Sequence, residues 1–253
     1  MTIPQRTGAI EKVTINQVLK DMDVAIGEDI IMGDFDVLGW HLASKVRSRE
    51  SENYKNHCAI FRPNYERGIL IHSLIQKKRL FKVLEIGFGR GYVSACASLA
   101  IYGKGVEGQI VSVDPFHDQQ ILNMFEDAVP ESVMSMIDFK AEKKTSDSYF
   151  AELDPDEKFD LIFIDGDHRY EFVKKDFENA IKHIDRGYIV MDDYHLPTKT
   201  DKDIEVANFV DTLGEEHIRK LVMTDRLLFG DDRSIEQLDY GMVLFPVGDI
   251  ENE

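Results

Sequence analysis

Two stretches of the chain gather residue types that do chemistry. One is Phe163-Ile164-Asp165-Gly166-Asp167-His168-Arg169-Tyr170, the other Ile189-Val190-Met191-Asp192-Asp193-Tyr194-His195. In each, a short apolar run of the kind that forms a buried strand breaks into carboxylates and a histidine. Open α/β sheets bind ligands beyond the carboxyl ends of their strands. Adjacent parallel strands lie about 4.8 Å apart, so Asp165, Asp192 and Asp193 are expected at one rim. Carboxylates crowded there repel one another unless a proton or a cation joins them. Oxygen donors without a cysteine suit a hard divalent ion such as Mg²⁺. His168 and His195 are both placed to exchange protons with a group bound at that rim.

A second chemical feature lies upstream, at Lys82-Val83-Leu84-Glu85-Ile86-Gly87-Phe88-Gly89-Arg90-Gly91. An apolar run enters three alternating glycines, and the amphipathic segment Tyr92 to Tyr102 follows. Strand, tight turn and helix are the reading. Glycine lets the backbone take positive φ and lie against a ligand, while the helix start points N–H groups back at it. The spacing is not that of a dinucleotide site, whose third glycine falls where Tyr92 stands, and no Gly-Lys-Ser/Thr follows as in a P-loop. An NAD-dependent oxidoreductase is disfavoured on that ground.

The Glu-x-Gly-x-Gly-x-Gly pattern resembles the first motif of class I S-adenosylmethionine-dependent methyltransferases. The resemblance implies a cofactor site at Glu85, Gly87, Gly89 and Gly91. Asp114 ends the apolar run Ile110 to Val113, 23 residues after Gly91, where an acid can accept both ribose hydroxyls. Phe116, after Pro115, is expected against the adenine, and Glu142 near the adenine amine. The later motifs, Ile-Asp-Gly-Asp-His-x-Tyr and Gly-Tyr-Ile-Val-x-Asp-Asp-Tyr, resemble those of metal-dependent small-molecule O-methyltransferases acting on sugars, macrolides and cephalosporin intermediates. That resemblance covers residues 65 to 200. It implies Mg²⁺ on Asp165, Asp192 and Asp193, with Asp165 and His168 catalytic and His168 the general base. It favours His168 over His195, because some members carry a histidine three positions after the first ligand.

These residues need a frame. Strand candidates are Val83–Ile86, Gln109–Val113, Ile137–Ala141, Phe159–Ile164, Tyr188–Met191, Arg219–Met223 and Tyr240–Phe245. Helical segments fall between the first five, the clearest being Tyr92–Tyr102 and Tyr170–Ile184. Such alternation predicts a doubly wound, mostly parallel seven-stranded α/β sheet of Rossmann-like methyltransferase type. The last two strands are expected as an antiparallel pair at one edge. Helices are expected near Ile10 to Ala25 and Tyr65 to Gln76. Residues 1–60 read as an N-terminal helical extension capping the substrate, and residues 61–253 as the methyltransferase domain.

Composition sets limits. Lys plus Arg number 30 against 47 Asp plus Glu, a net charge of −17, which argues against nucleic acid or an anionic membrane as a partner. Two cysteines, Cys58 and Cys96, are too few for a disulfide framework. No apolar run approaches a membrane span and no signal-peptide core is present, so a cytoplasmic protein is expected. A homo-oligomer is compatible with the sequence. The expected activity is methyl transfer from S-adenosylmethionine to a hydroxyl of a small polyhydroxylated molecule. The alternatives are a metal-independent methyltransferase and a non-catalytic cofactor-binding protein on the same fold.

Overall fold

The computed structural model describes residues 11–24, 65–89, 91–195, 204–214, 217, 219–223, 234–235, 238 and 240–248. Strands β1 (Glu11–Thr14), β2 (Lys82–Ile86), β3 (Gly108–Val113), β4 (Ile137–Glu142), β5 (Leu161–Ile164), β6 (Gly187–His195), β7 (Lys220–Met223) and β8 (Tyr240–Val247) form one sheet. Their order is β1-β7-β8-β6-β5-β2-β3-β4. All neighbours pair in parallel except β8, which runs antiparallel to both β6 and β7.

The sequence order of strands reverses between β2 and β5. One branch runs outward through β3 and β4, the other through β6. The carboxyl ends of β2 and β5 therefore open a crevice, which is where α/β sheets bind ligands.

The described helices are α1 (Ile15–Asp21), α2 (Tyr65–Lys78), α3 (Tyr92–Gly103), α4 (Gln119–Ala128), α5 (Glu131–Met134), α6 (Ser146–Glu152), α7 (Tyr170–Ala180) and α8 (Val206–Val210). They cover both faces of the sheet, which explains why its strands read as continuous apolar runs. In β5, Leu161 and Phe163 join Leu19, Leu70, Ile71 and Ile101 in one core. Ile162 and Ile164 join Val173, Phe177 and Phe209 in the other. A fully buried side chain of this size contributes roughly 1.5–3 kcal/mol.

Two expectations change. The stretch expected to be helical from Ile10 begins instead with β1, an edge strand paired in parallel with β7. Val13 points into the core while its neighbours are exposed or half-buried, a period of two too short to stand out beside the helix that follows. Thr14 then caps α1 by accepting from the Gln17 N–H at 3.1 Å. β1 is the eighth strand, and it lies outside the β7–β8 pair expected at the edge. Of residues 1–60, read as an extension, residues 11–24 are built into the main sheet and core. The rest, with Cys58, lies outside the described residues.

Candidate active site

The glycine turn is held from both sides. Gly87 N–H donates to the Val113 carbonyl at 2.9 Å. A Cβ on Gly87 would stand 2.0 Å from the Asp165 carbonyl oxygen, and its φ is +89°. Only glycine lets β2 turn this close to β5. Gly89 differs: its φ is +54° and a Cβ there would meet nothing within 4 Å. The space beside it belongs to a cavity of about 850 Å³. Phe88, between them, is buried against His117, Phe125 and Phe139 and pins the turn from below. Gly91 takes the left-handed conformation and starts α3.

Asp114 ties this turn to β3. Its Oδ2 accepts from the N–H groups of Phe88 and Gly89 at 3.0 and 3.2 Å, and its Oδ1 from that of Phe116 at 2.7 Å. Three backbone bonds fix the carboxylate, which has about four acceptor sites in all. Asp114, Pro115 and Phe116 line the cavity with Gly87 and Gly89. Phe116 is 84% exposed, an unusual state for so large an apolar ring.

Glu85 and Glu142 lie elsewhere. Glu85 is buried behind the turn, accepting from the Ser94 hydroxyl. Burial pushes its carboxyl up to about 8, the Ser94 bond opposing the rise. Glu142 pairs with Lys144 at 3.2 Å. Neither is among the residues lining the cavity; Thr145 and Ser146, where α6 begins, line the wall next to Glu142.

The acidic rim forms where β5 and β6 end. Asp165 directly follows β5 and lines the cavity with His168. The β6–β8 pairing runs regularly to Met191–Val243 and resumes at Tyr194–Gly241, so Asp192 and Asp193 together oppose Met242. Asp193 occupies the left-handed region at φ +54°, which aspartate tolerates better than most residues. This bulge leaves the two acids differently exposed, with the Asp192 side chain sealed and that of Asp193 at 22%, although Tyr240 lies against both. Asp193 Oδ2 comes within 3.4 Å of His168 Nε2, and Asp165 Oδ1 lies 3.9 Å from the same nitrogen. One donor atom from each of Asp165, His168 and Asp193 falls within 4.8 Å of the others. Asp192 is instead wholly buried, paired with Arg67 and accepting from the Tyr240 hydroxyl at 3.5 Å. His195 ends β6 opposite Tyr240.

Arg67 is the residue that the sequence reading missed. Its Nη1 donates to Asp165 Oδ2 at 3.0 Å, and its guanidinium also pairs with Asp192. Burial works against its charge, but Asp165, then Tyr240 and Asp193, outweigh that and raise its pKa. Burial likewise raises the Asp165 carboxyl, against the pull of Arg67 and with Asp193 adding to the rise. Elsewhere on the cavity lining, burial pushes the Asp176 carboxyl up to about 6 while the Ser146 hydroxyl opposes it.

The arrangement is a cleft lined by the glycine turn, Asp114 and Phe116 that leads to a rim with two carboxylates and an imidazole. The two carboxylates, oxygen donors without sulfur, fit a hard divalent ion, with the imidazole beside them free to take a proton.

Residues 84–194 match a family described as a methyltransferase domain. No curated protein matches the sequence significantly. Among solved structures, the chain is similar to an O-methyltransferase from Bacillus cereus in complex with SAH: 15% identity, TM-score 0.59, covering 92% of this chain and 97% of that one. It is also similar to the O-methyltransferase TomG from Streptomyces achromogenes in complex with SAM: 17% identity, TM-score 0.54, covering 74% and 82%. Cofactor-bound Rv0187 from MTB gives 18% identity and a TM-score of 0.60 over 86% and 92%. Residues 84–194 thus match a methyltransferase-domain family, and the chain shares its fold with O-methyltransferases solved with SAM and SAH.

Proposed function

We propose that the protein transfers the methyl group of S-adenosylmethionine to a hydroxyl oxygen of a small polyhydroxylated molecule, a sugar or natural-product intermediate, with a divalent cation at the acidic rim. The observation that carries this reading is the convergence of Asp165, His168 and Asp193 at the end of the cavity that begins at the glycine turn. The neighbour involved in tomaymycin synthesis is in keeping with a natural-product acceptor.

In this reading Gly87 and Gly89 leave room for the cofactor, Asp114 and Phe116 meet its adenosine, and Glu85 supports the turn from behind as a neutral acid. Asp165 and Asp193 carry the oxygens that would hold a divalent ion. Such an ion, when bound, acidifies and orients a coordinated hydroxyl. The acceptor oxygen attacks the methyl carbon, and the carbon–sulfur bond breaks with its electron pair passing to sulfur. The hydroxyl proton goes to His168 Nε2, with Asp193 beside the ring to stabilise the cation that forms. Much of the rate comes from holding donor and acceptor in line.

A metal-independent transfer is the second reading, favoured by Arg67, which already neutralises part of the acidic rim. Methyl transfer from labelled S-adenosylmethionine to a panel of sugars and polyhydroxylated aromatics tests both. Turnover should stop in excess EDTA and return with Mg²⁺ or Mn²⁺. Full activity in EDTA would select the second reading, and no transfer to any hydroxyl would remove both.

A further inference from the structure

The rim carries a cation of its own. Arg67 sits in the first turn of α2, 98 residues before Asp165, yet its guanidinium lies between Asp165 and Asp192. Its side chain is only 17% exposed, and its carbon centre lies 5.7 Å from the centroid of the Phe163 ring. A buried guanidinium fork of this kind fixes carboxylates in place.

We propose that Arg67 is a positioning residue that withdraws Asp192 from metal binding, so that a divalent ion is held by Asp165 and Asp193, with water or acceptor oxygens completing its shell. The inference rests on the divalent-ion reading above. Asp192 has one carboxylate oxygen against Arg67 and the other toward Tyr240, and its side chain has no exposed surface. Asp165 and Asp193 are 21% and 22% exposed, and each turns an oxygen toward His168. Mg²⁺ keeps several waters and is commonly bound through one or two carboxylates, so the half-open pair suits it and the sealed Asp192 does not. Charge agrees with this division. When all three carboxylates are ionised, one guanidinium leaves two negative charges, which one divalent ion balances. The bulge at Asp192–Asp193 makes the separation possible by breaking the alternation of β6, so that Asp192 is sealed while Asp193 stays half-open beside His168.

The test is Mn²⁺ binding to the full chain, followed by the EPR signal of free Mn²⁺, without cofactor or acceptor. Asp193→Asn is expected to weaken binding by roughly 100-fold or more and Asp192→Asn by no more than about tenfold, the difference between a ligand and an outer-shell partner. Arg67→Met, which removes the charge and releases Asp192, is expected to tighten binding by about tenfold or more. Loss of Mn²⁺ binding in Asp192→Asn as severe as in Asp193→Asn would overturn the proposal, and so would an unchanged affinity in Arg67→Met. Should Arg67→Met fail to give a cooperative melt, the comparison of the two aspartate variants decides alone. Absence of Mn²⁺ binding in the wild type would remove the divalent-ion reading itself, and this inference with it.

Discussion

At the scale of single residues, His168 and Glu85 make opposite kinds of prediction. His168 faces Asp193 and Asp165 at the mouth of the cavity. As a general base, its replacement in His168→Ala should lower kcat by roughly 10²–10⁴, with SAH affinity within a small factor of wild type. Mn²⁺ affinity should also hold, because the imidazole serves as base and not as ligand. A large loss at His195→Ala alone would reassign the base. Glu85 predicts a pH dependence of stability and none of chemistry. Its folded carboxyl titrates at about 8, far above an unfolded glutamate. The unfolded chain therefore binds fewer protons between those values, and stability falls as pH rises across that window. The stabilisation is fully present below the unfolded pKa and is lost as pH passes about 8. Glu85→Gln should flatten that decline; matched melting curves from pH 5 to 9 that fall in parallel for both proteins would show that Glu85 does not cause it. Asp165, Asp193 and His168 were legible in the sequence because each stands at or just beyond the end of an apolar strand. Arg67 was not, because nothing local marks a cation in the first turn of an apolar helix as the partner of an acid 98 residues away.

At the scale of elements, the glycine turn separates two uses of one residue type. Gly87 is required by the close approach of the Asp165 carbonyl, whereas Gly89 borders the open cavity. Gly87→Ala should cost more than the roughly 1–2 kcal/mol of a left-handed alanine, since a backbone clash adds to it, and the melting temperature should drop accordingly. Gly89→Ala should cost about that backbone penalty alone but weaken SAH binding, because its methyl enters the ligand's space. Calorimetry on both variants checks this; equal SAH affinity in Gly89→Ala and wild type would place the cofactor elsewhere. The turn was readable because strand, glycines and helix are contiguous. The fate of Asp192 was not, since a bulge is defined by pairing with β8, about 50 residues later in the chain. β1 escaped for a related reason: four residues with one inward Val13 become a strand only through their partner β7.

At the scale of the whole molecule, the alternation of apolar runs and helices sufficed for the parallel sheet, because both faces are covered and each central strand carries an apolar run into both cores. The position of β8 between β6 and β7 followed from pairing that local pattern does not encode. That topology puts the switch point at β2 and β5, and with it the cavity, between the two branches of the sheet. A ligand seated there touches the ends of strands from both branches and binds the native state alone. SAH at 100 times its dissociation constant should then stabilise the fold by about 2.7 kcal/mol, which for a domain of this size is a rise of roughly 5–10 °C in melting temperature. Asp114→Ala removes the acid that fixes the turn and that, in the proposed reading, meets the ribose. It should lower the melting temperature of the free protein and also shrink the SAH-induced rise, by the roughly 1–3 kcal/mol that charge-assisted hydrogen bonds are worth. A variant that melts lower yet gains the full rise would show that Asp114 serves the turn only. A wild type whose melting temperature ignores SAH, while another adenosine-containing ligand raises it, would show that this crevice holds a different cofactor.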